Sequence, residues 1–175
     1  MRPFRSALAA LALTLAAMPA WASPAEVERA LPGAQKTGEA SYHLLGIHLF
    51  DAETYAADGD FSWNRPFALT LNYRRGARQS TLINRSISEM TQRGAGNAQA
   101  LAPLRVQLER CFPDIARGDR VTGVSTGANT ATFYYNGAER CDVQWPGFRR
   151  AFFGIWLDGR DGPARTMSAR LRGEV

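Results

Sequence analysis

The sequence has 175 residues, two cysteines and a formal net charge of +5, from 21 basic and 16 acidic side chains. This length fits one domain with a sizeable core and is too short for two. The basic residues are nearly all arginine and are scattered without a run of five or six, which favours a solvated surface over nucleic-acid binding.

The first 22 residues have the features of a secretory signal peptide. Arg2 and Arg5 precede an apolar run over residues 7–18, and Ala20-Trp21-Ala22 is a small-x-small cleavage pattern. The run is shorter than the roughly 20 residues that span a bilayer, so a retained N-terminal anchor is the less favoured alternative. We predict cleavage after Ala22, a periplasmic or secreted protein, and no membrane span after cleavage.

Composition divides the mature chain into two parts. Cleavage removes Arg2 and Arg5, which leaves 19 basic against 16 acidic side chains and a net charge of +3. Residues 23–37 are polar, contain two prolines and are predicted to be flexible, and residues 38–175 are predicted to form the domain.

The first half of the domain is predicted to form strands and then two helices. Residues 41–50 are largely apolar in both alternating sets, which predicts one central strand covered on both faces. Residues 67–73 alternate as a second strand, and a helix is predicted from Ser80 to Gly94. A further helix has an apolar stripe of Leu101, Leu104, Leu108 and Phe112.

The second half repeats this order. Residues 120–125, 130–135 and 138–143 are predicted strands, with a hairpin turn at Asn136-Gly137. Residues 148–158, FRRAFFGIWLD, predict a buried helix that places Phe148, Phe152 and Ile155 on one face, and residues 163–171 predict a closing helix. Strands, helices, strands and helices in this order indicate an α+β domain, with a mainly antiparallel sheet and helices packed on it.

The two cysteines are a disulfide candidate. Cys111 and Cys141 form an even pair in a chain predicted to reach an oxidising compartment. A catalytic thiol would need a nearby base, and both histidines are distant in the sequence.

One motif matches a known catalytic pattern. Residues 123–127, GVSTG, fit the G-x-S-x-G pattern of hydrolases, but that mechanism needs a helix after the serine and a histidine later in the chain. Here a strand follows, and both histidines precede Ser125. A glycine-containing turn between two strands is therefore the favoured interpretation.

The two histidines are candidates for a metal site or for a ligand-binding group. Five residues apart on one strand, His43 and His48 would point to opposite faces and would not bind one ion, so we predict neither a metal site nor a cofactor. His43 shares its predicted face with Leu45 and Ile47 and is a candidate polar group in an apolar pocket. The alternative is a hydrogen-bonded core histidine.

Other polar side chains near the strand ends and on the following helix are further ligand-binding candidates. With His43, the candidates are Tyr42, Thr70, Tyr73, Arg78 and Arg85. Helical geometry turns Arg85 outward, so a surface role is the alternative for this residue.

Six segments, in this order along the chain, resemble the chalcone isomerase-like family, in particular its exported bacterial branch. They are LLGIHLFDA (44–52), PFALTLNY (66–73), SISEM (86–90), FPDIARGDRVTG (112–123), FYYNG (133–137) and AFFGIWLD (151–158). The resemblance implies a large antiparallel sheet with a layer of helices on one face and a ligand cleft between them.

The resemblance implies no catalytic residue. In the plant isomerases a chalcone phenol adds across its own enone, assisted by Thr, Tyr, Lys, Asn and Arg side chains. The Thr position falls on His43, and the Tyr, Lys and Asn positions fall near Gln79, Leu82 and Ser86. The Arg position falls near Leu31, so none of the five matches.

Non-catalytic plant relatives bind fatty acids through an arginine, hydroxyl groups and an apolar cleft. The resemblance therefore implies an exported, non-catalytic protein that binds a fatty acid or a similar apolar carboxylate. The alternatives are an isomerase of the chalcone-flavanone type and a periplasmic protein that docks a partner without a small ligand.

Overall fold

A computed structural model of the protein describes residues 23–175. The predicted signal peptide and its cleavage site lie outside the described residues. Within residues 23–175, no helix combines the length and the apolar character that crossing a membrane requires.

Six strands form one antiparallel sheet in which each strand pairs with the next along the chain. They are β1 (Ala34–Leu44), β2 (Ile47–Ala57), β3 (Phe67–Tyr73), β4 (Arg120–Ser125), β5 (Thr130–Tyr135) and β6 (Ala138–Gln144). The predicted bounds of β3, β4 and β5 are confirmed. Two helices, α2 (Gln79–Gln92) and α3 (Ala102–Cys111), separate β3 from β4.

The first two strands form a hairpin where the sequence predicted one strand. The chain turns at Leu45 and Gly46, which have φ of 51° and 78°. His43 therefore pairs with His48 across the hairpin, and their rings stack with centroids 4.5 Å apart. The prediction that they point to opposite faces is wrong, because an apolar residue in the turn left the alternating pattern unbroken.

A layer of helices covers one face of the sheet, which confirms the predicted α+β class. It comprises α2, α3, a π-helical turn at Arg149–Phe153, α4 (Gly154–Leu157) and α5 (Gly162–Leu171). The predicted apolar stripe of α3 is buried in the main core, together with the helix-facing residues of β3. Alternation along β3 thus assigns one set of side chains to this core and the other set to the opposite face.

Part of the segment predicted to be flexible forms a short helix on the opposite face of the sheet. Residues Ala25–Ala30 form α1, and β1 already begins at Ala34. Glu26 and Val27 are both fully buried. The Glu26 carboxylate accepts hydrogen bonds from Arg120 Nε at 2.7 Å and from Thr122 Oγ1 at 3.0 Å. This buried pairing, which joins residues far apart in sequence, explains why local composition failed to predict α1.

The far edge of the sheet is tied to the helix layer. Cys111, at the end of α3, and Cys141, in β6, lie at disulfide distance with Cα atoms 5.3 Å apart, as the cysteine pair predicted. Gln107 donates from Nε2 to the carbonyl of Gln144 at 3.1 Å and accepts from the Gln144 amide at 2.9 Å. These contacts cover part of an edge strand that would otherwise offer unpaired backbone groups.

Candidate functional site

The aromatic segment predicted as one helix begins with a π-helical turn. Phe148, Phe152, Phe153 and Leu157 are buried, whereas Ile155 is only partly buried. A π-turn closes its hydrogen bonds one residue later than an α-turn, which rotates the following side chains. The predicted face that included Ile155 is therefore wrong, and Phe153 and Leu157 are more deeply buried instead.

The same turn buries an arginine against the sheet. Arg149 is 5% exposed. Its Nε donates to Ser125 Oγ at 2.7 Å, and its Nη1 donates to the carbonyl of Trp63 at 2.8 Å. The guanidinium carbon lies 5.8 Å from the ring centroid of Phe67.

All of these partners of Arg149 are neutral. No carboxylate oxygen within residues 23–175 lies within 4.0 Å of its guanidinium. Burial lowers the pKa of the Arg149 guanidinium, although an arginine stays charged in a protein at neutral pH. A buried cation without a counter-charge is costly, and it makes this position suited to an anionic ligand.

Ser125, the serine of the G-x-S-x-G pattern, is part of this arrangement. It is the last residue of β4 and precedes a turn into β5, as the sequence predicted. Its hydroxyl accepts from Arg149 and donates weakly to the carbonyl of Gly127, at 3.4 Å. Its basic neighbour is thus an arginine, which does not act as a general base as the histidine of a hydrolase does.

A second unusual polar group faces the same interior. Thr54 is fully buried, and its Oγ1 has no hydrogen-bond partner among the described residues. Thr54 pairs with Leu69, which pairs in turn with Gly123. It therefore shares the helix-facing side of the sheet with Ser125, and an unpaired buried hydroxyl there calls for an explanation.

An aromatic loop covers the site. Residues 58–66 connect β2 to β3, and Trp63 packs on Phe61 and Phe67 with ring centroids 5.1 and 5.9 Å away. The Arg150 guanidinium lies 4.4 Å from the Trp63 ring centroid. Two consecutive arginines thus contact Trp63. Arg149 donates a hydrogen bond to the Trp63 carbonyl, and Arg150 stacks on the Trp63 ring.

Aromatic side chains occupy much of the space between the sheet and the helices. Phe133 contacts Phe148, Phe152 and Phe153 with ring centroids 6.2, 5.4 and 6.4 Å away. Two pockets, of about 280 and 410 Å³, are open to solvent and lie outside this interior. The first is lined by Arg93, Arg150, Arg160 and Asp158 among others, and the second lies between β1 and the C-terminal residues.

Tyr42, Tyr73 and Thr70 lie away from Arg149. Tyr42 and Tyr73 contact opposite sides of Phe50, with ring centroids 5.0 and 5.9 Å away, towards the other end of the sheet. Burial raises the pKa of the Tyr73 hydroxyl. Thr70 lies on the face that α1 covers, where its hydroxyl shares a 3.0 Å hydrogen bond with Thr122. The structure therefore places Tyr42 and Tyr73 on either side of Phe50 and separates Thr70 from both.

The remaining three candidates are exposed. His43 lies on the surface near the hairpin turn, so the predicted apolar pocket around it is wrong. Arg78 is exposed at the start of α2. Arg85 points outward, as helical geometry predicted, and pairs with Glu89 at 2.7 Å with 71% of its side chain exposed. Residues 23–175 contain no group of three side chains that could hold a metal ion.

Sequence reasoning missed Arg149 and Thr54 as functional candidates. A signal for Arg149 was present, because it stands three and four residues before Phe152 and Phe153 and is thus a charge on an apolar helical face. Thr54 gave no comparable signal, since threonine is common in strands.

Comparison with known proteins identifies the family of this chain. A family model described as chalcone isomerase-like matches residues 49–167. Among solved structures, the fold is similar to a fatty-acid binding protein of Arabidopsis thaliana, with a TM-score of 0.62, 10% identity, and coverage of 81% of this chain and 88% of that one. No significant match was found among curated proteins. The match spans more than half of the sequence, and the chain belongs to the chalcone isomerase-like family.

Proposed function

We propose that this protein binds a fatty acid or a similar apolar carboxylate, that it does so without catalysing a reaction, and that it acts after export. The observation that carries this proposal is Arg149, a buried cation whose protein partners are all neutral. A ligand carboxylate at this position would supply the missing counter-charge.

The chemistry of the site suits a carboxylate. A guanidinium has five N–H groups, and Arg149 uses two of them on Ser125 and Trp63, which leaves three for a ligand. A planar guanidinium binds both oxygens of a carboxylate at once, with charge-assisted hydrogen bonds. The unpaired hydroxyl of Thr54, on the same side of the sheet, is a further donor for an oxygen that enters this interior.

The surroundings suit an alkyl chain. Trp63 and Phe67 contact Arg149, and Phe61 packs on both of them. The phenylalanines of the π-turn continue the apolar interior. Because aromatic side chains occupy that interior, an alkyl chain can enter only if the 58–66 loop moves and Trp63 leaves its present position. Trp63 therefore covers the site, and its fluorescence should change when a ligand enters.

Two further observations support the proposal. The Cys111–Cys141 pair fits an oxidising compartment, in agreement with the signal-peptide pattern of the first 22 residues. The similar plant structure is a fatty-acid binding protein. The absence of the isomerase side chains at Gln79, Leu82 and Ser86 favours binding over catalysis.

Titration of the mature protein with dodecanoate and with dodecanol, followed by tryptophan fluorescence and calorimetry, tests this function. We expect dodecanoate to bind more tightly than dodecanol. Loss of charge-assisted hydrogen bonds of about 1.5 to 3 kcal/mol should weaken dodecanoate binding roughly 10- to 100-fold in Arg149→Met. Arg149→Lys should be intermediate, because it keeps the charge and loses the planar geometry.

Arg85→Gln is the matched control, since it also removes one positive charge, from an exposed helix position. It should bind dodecanoate like the wild type. Equal affinities of the wild type and Arg149→Met would contradict the proposed site. Cyclisation of a 2′-hydroxychalcone well above the uncatalysed rate, with collapse of that rate in His43→Ala, would favour the isomerase alternative instead.

A further inference from the structure

The turn of the first hairpin exposes aliphatic side chains. Leu44 is 51% exposed, Leu45 is 94% exposed and Ile47 is 48% exposed. We call residues 44–47 the hairpin tip. Three of its four residues are thus large, apolar and in contact with solvent, whereas scattered single apolar residues are the norm on a protein surface.

The hairpin tip projects from the sheet. Ladder pairing of β2 with β3 begins only at Phe50, opposite Tyr73. Beyond this point the Arg74 amide donates to the carbonyl of Leu49 at 2.8 Å, and the chain of β3 then turns away. Residues 44–48 therefore extend past the neighbouring strand.

The residue at the turn is unfavourable for the fold. Leu45 and Gly46 have φ of 51° and 78°, and the second two-residue hairpin of this chain has the same form at Asn136 and Gly137, with φ of 49° and 85°. Two consecutive positive φ angles favour Asn-Gly, and leucine is strained there. The first turn thus carries an apolar side chain where the backbone favours asparagine.

Three arginines lie near the end of β3, beside the base of the hairpin tip. Arg74 follows β3 beside Leu49, and Arg75 comes next. Arg117 precedes Gly118, whose amide donates to the carbonyl of Tyr73 at the end of β3. Arg75 and Arg117 are exposed and have no ion-pair partner in the part of the chain that the structure describes.

The nearby carboxylates are already engaged. Asp51 binds Arg74 at 2.6 Å and His48 at 2.7 Å. Asp119 accepts hydrogen bonds from Tyr135 and from two other donors. Asp119 keeps its negative charge because its donors are neutral, so the three arginines exceed the two carboxylates by one positive charge.

We propose that the hairpin tip inserts into the surface of an anionic lipid bilayer. Aliphatic side chains at the narrow end of a projection, with arginines behind them, match the order of hydrocarbon and anionic headgroups that a bilayer presents. Surfaces that bind another protein are more commonly broad and contain aromatic and polar side chains, which the hairpin tip lacks. This surface lies at the opposite end of the sheet from Arg149, and it does not depend on the proposed ligand site.

Flotation of the mature protein with vesicles tests the proposal, using phosphatidylcholine alone and phosphatidylcholine with phosphatidylglycerol. We expect binding to the anionic vesicles that falls as salt is added. Leu45→Asn should weaken this binding about tenfold, as expected for removal of one inserted leucine. The same variant should be at least as stable as the wild type, because asparagine suits the turn, so a folding defect would not explain the loss.

Val106→Asn is the matched control, since Val106 is also an exposed aliphatic residue, at 49%, but lies on α3. It should bind vesicles like the wild type. Arg75→Gln with Arg117→Gln should reduce the difference between the two vesicle compositions. Vesicle binding that is absent, or equal in Leu45→Asn and the wild type, would overturn the proposal. Self-association that Leu45→Asn abolishes, without vesicle binding, would assign the tip to a second copy of the chain.

Discussion

Reduction of the Cys111–Cys141 pair should lower the free energy of unfolding by several kcal/mol. The two cysteines are separated by 30 residues. For a loop of this length, the chain-entropy relation gives about 3.6 kcal/mol at 25 °C. The loop contains all of β4 and β5. Without the bond, the unfolded chain therefore gains freedom in a segment that supplies two of the six strands.

Urea denaturation of the mature protein, with and without reductant, measures this effect. The midpoint of thermal unfolding should also fall by roughly 10 °C on reduction, at about 2 to 4 °C per kcal/mol for a chain of this size. The double variant C111A/C141A should resemble the reduced protein and should not respond to reductant. Equal unfolding free energies before and after reduction, or two free thiols in protein taken from the periplasm, would refute the reasoning.

Two further predictions concern the two faces of the sheet. Burial opposes ionisation of Glu26, but hydrogen bonds from Arg120 and Thr122 outweigh it, so the pKa of its carboxyl lies below the ordinary 4.5. The stabilisation from the ionised carboxylate is therefore fully present above pH 4.5 and is lost as the pH falls through the lowered pKa. Glu26→Gln should flatten the acid limb of a stability–pH curve and should cost about 1 to 3 kcal/mol at pH 7, the usual cost of leaving a buried partner unsatisfied. An unchanged acid limb would contradict this. In Gly123→Ala the new Cβ would lie 2.8 Å from the Phe133 ring. Chemical denaturation should therefore show a free energy of unfolding lower by about 1 to 3 kcal/mol. A variant as stable as the wild type would show that the core around Phe133 can yield to the extra methyl group.

Periodic patterns predicted much of the fold. The alternation in residues 67–73 and 130–135 and the stripe from Leu101 to Phe112 each reflect one buried face. Where a single face meets the core, the spacing of apolar residues follows the backbone geometry directly. These elements were therefore accessible from the sequence.

Three features could not be predicted from the apolar pattern alone. The turn at Leu45 was hidden because an apolar residue occupies a position that usually carries asparagine. The helix α1 was missed because it is held by Glu26, a charged residue whose partner Arg120 lies 94 positions later. The role of Arg149 depends on the π-turn that directs it towards Ser125.

The predicted site was only partly accessible for the same reason. The family resemblance implied an arginine and hydroxyl groups near an apolar interior but gave no position for that arginine, and the arginine position of the plant isomerases falls near Leu31 here. The buried cation of this chain comes from the helix layer instead. Its burial and its neutral partners result from tertiary packing, which the sequence does not reveal.

Native mass spectrometry tests the central claim most directly. The protein would be exported to a bacterial periplasm through its predicted signal sequence, purified without detergent, and compared with the Arg149→Met variant. We predict one bound fatty acid per chain in the wild type and a largely unliganded variant. A wild-type spectrum that shows only the unliganded chain, even after a fatty acid is added, would contradict the account.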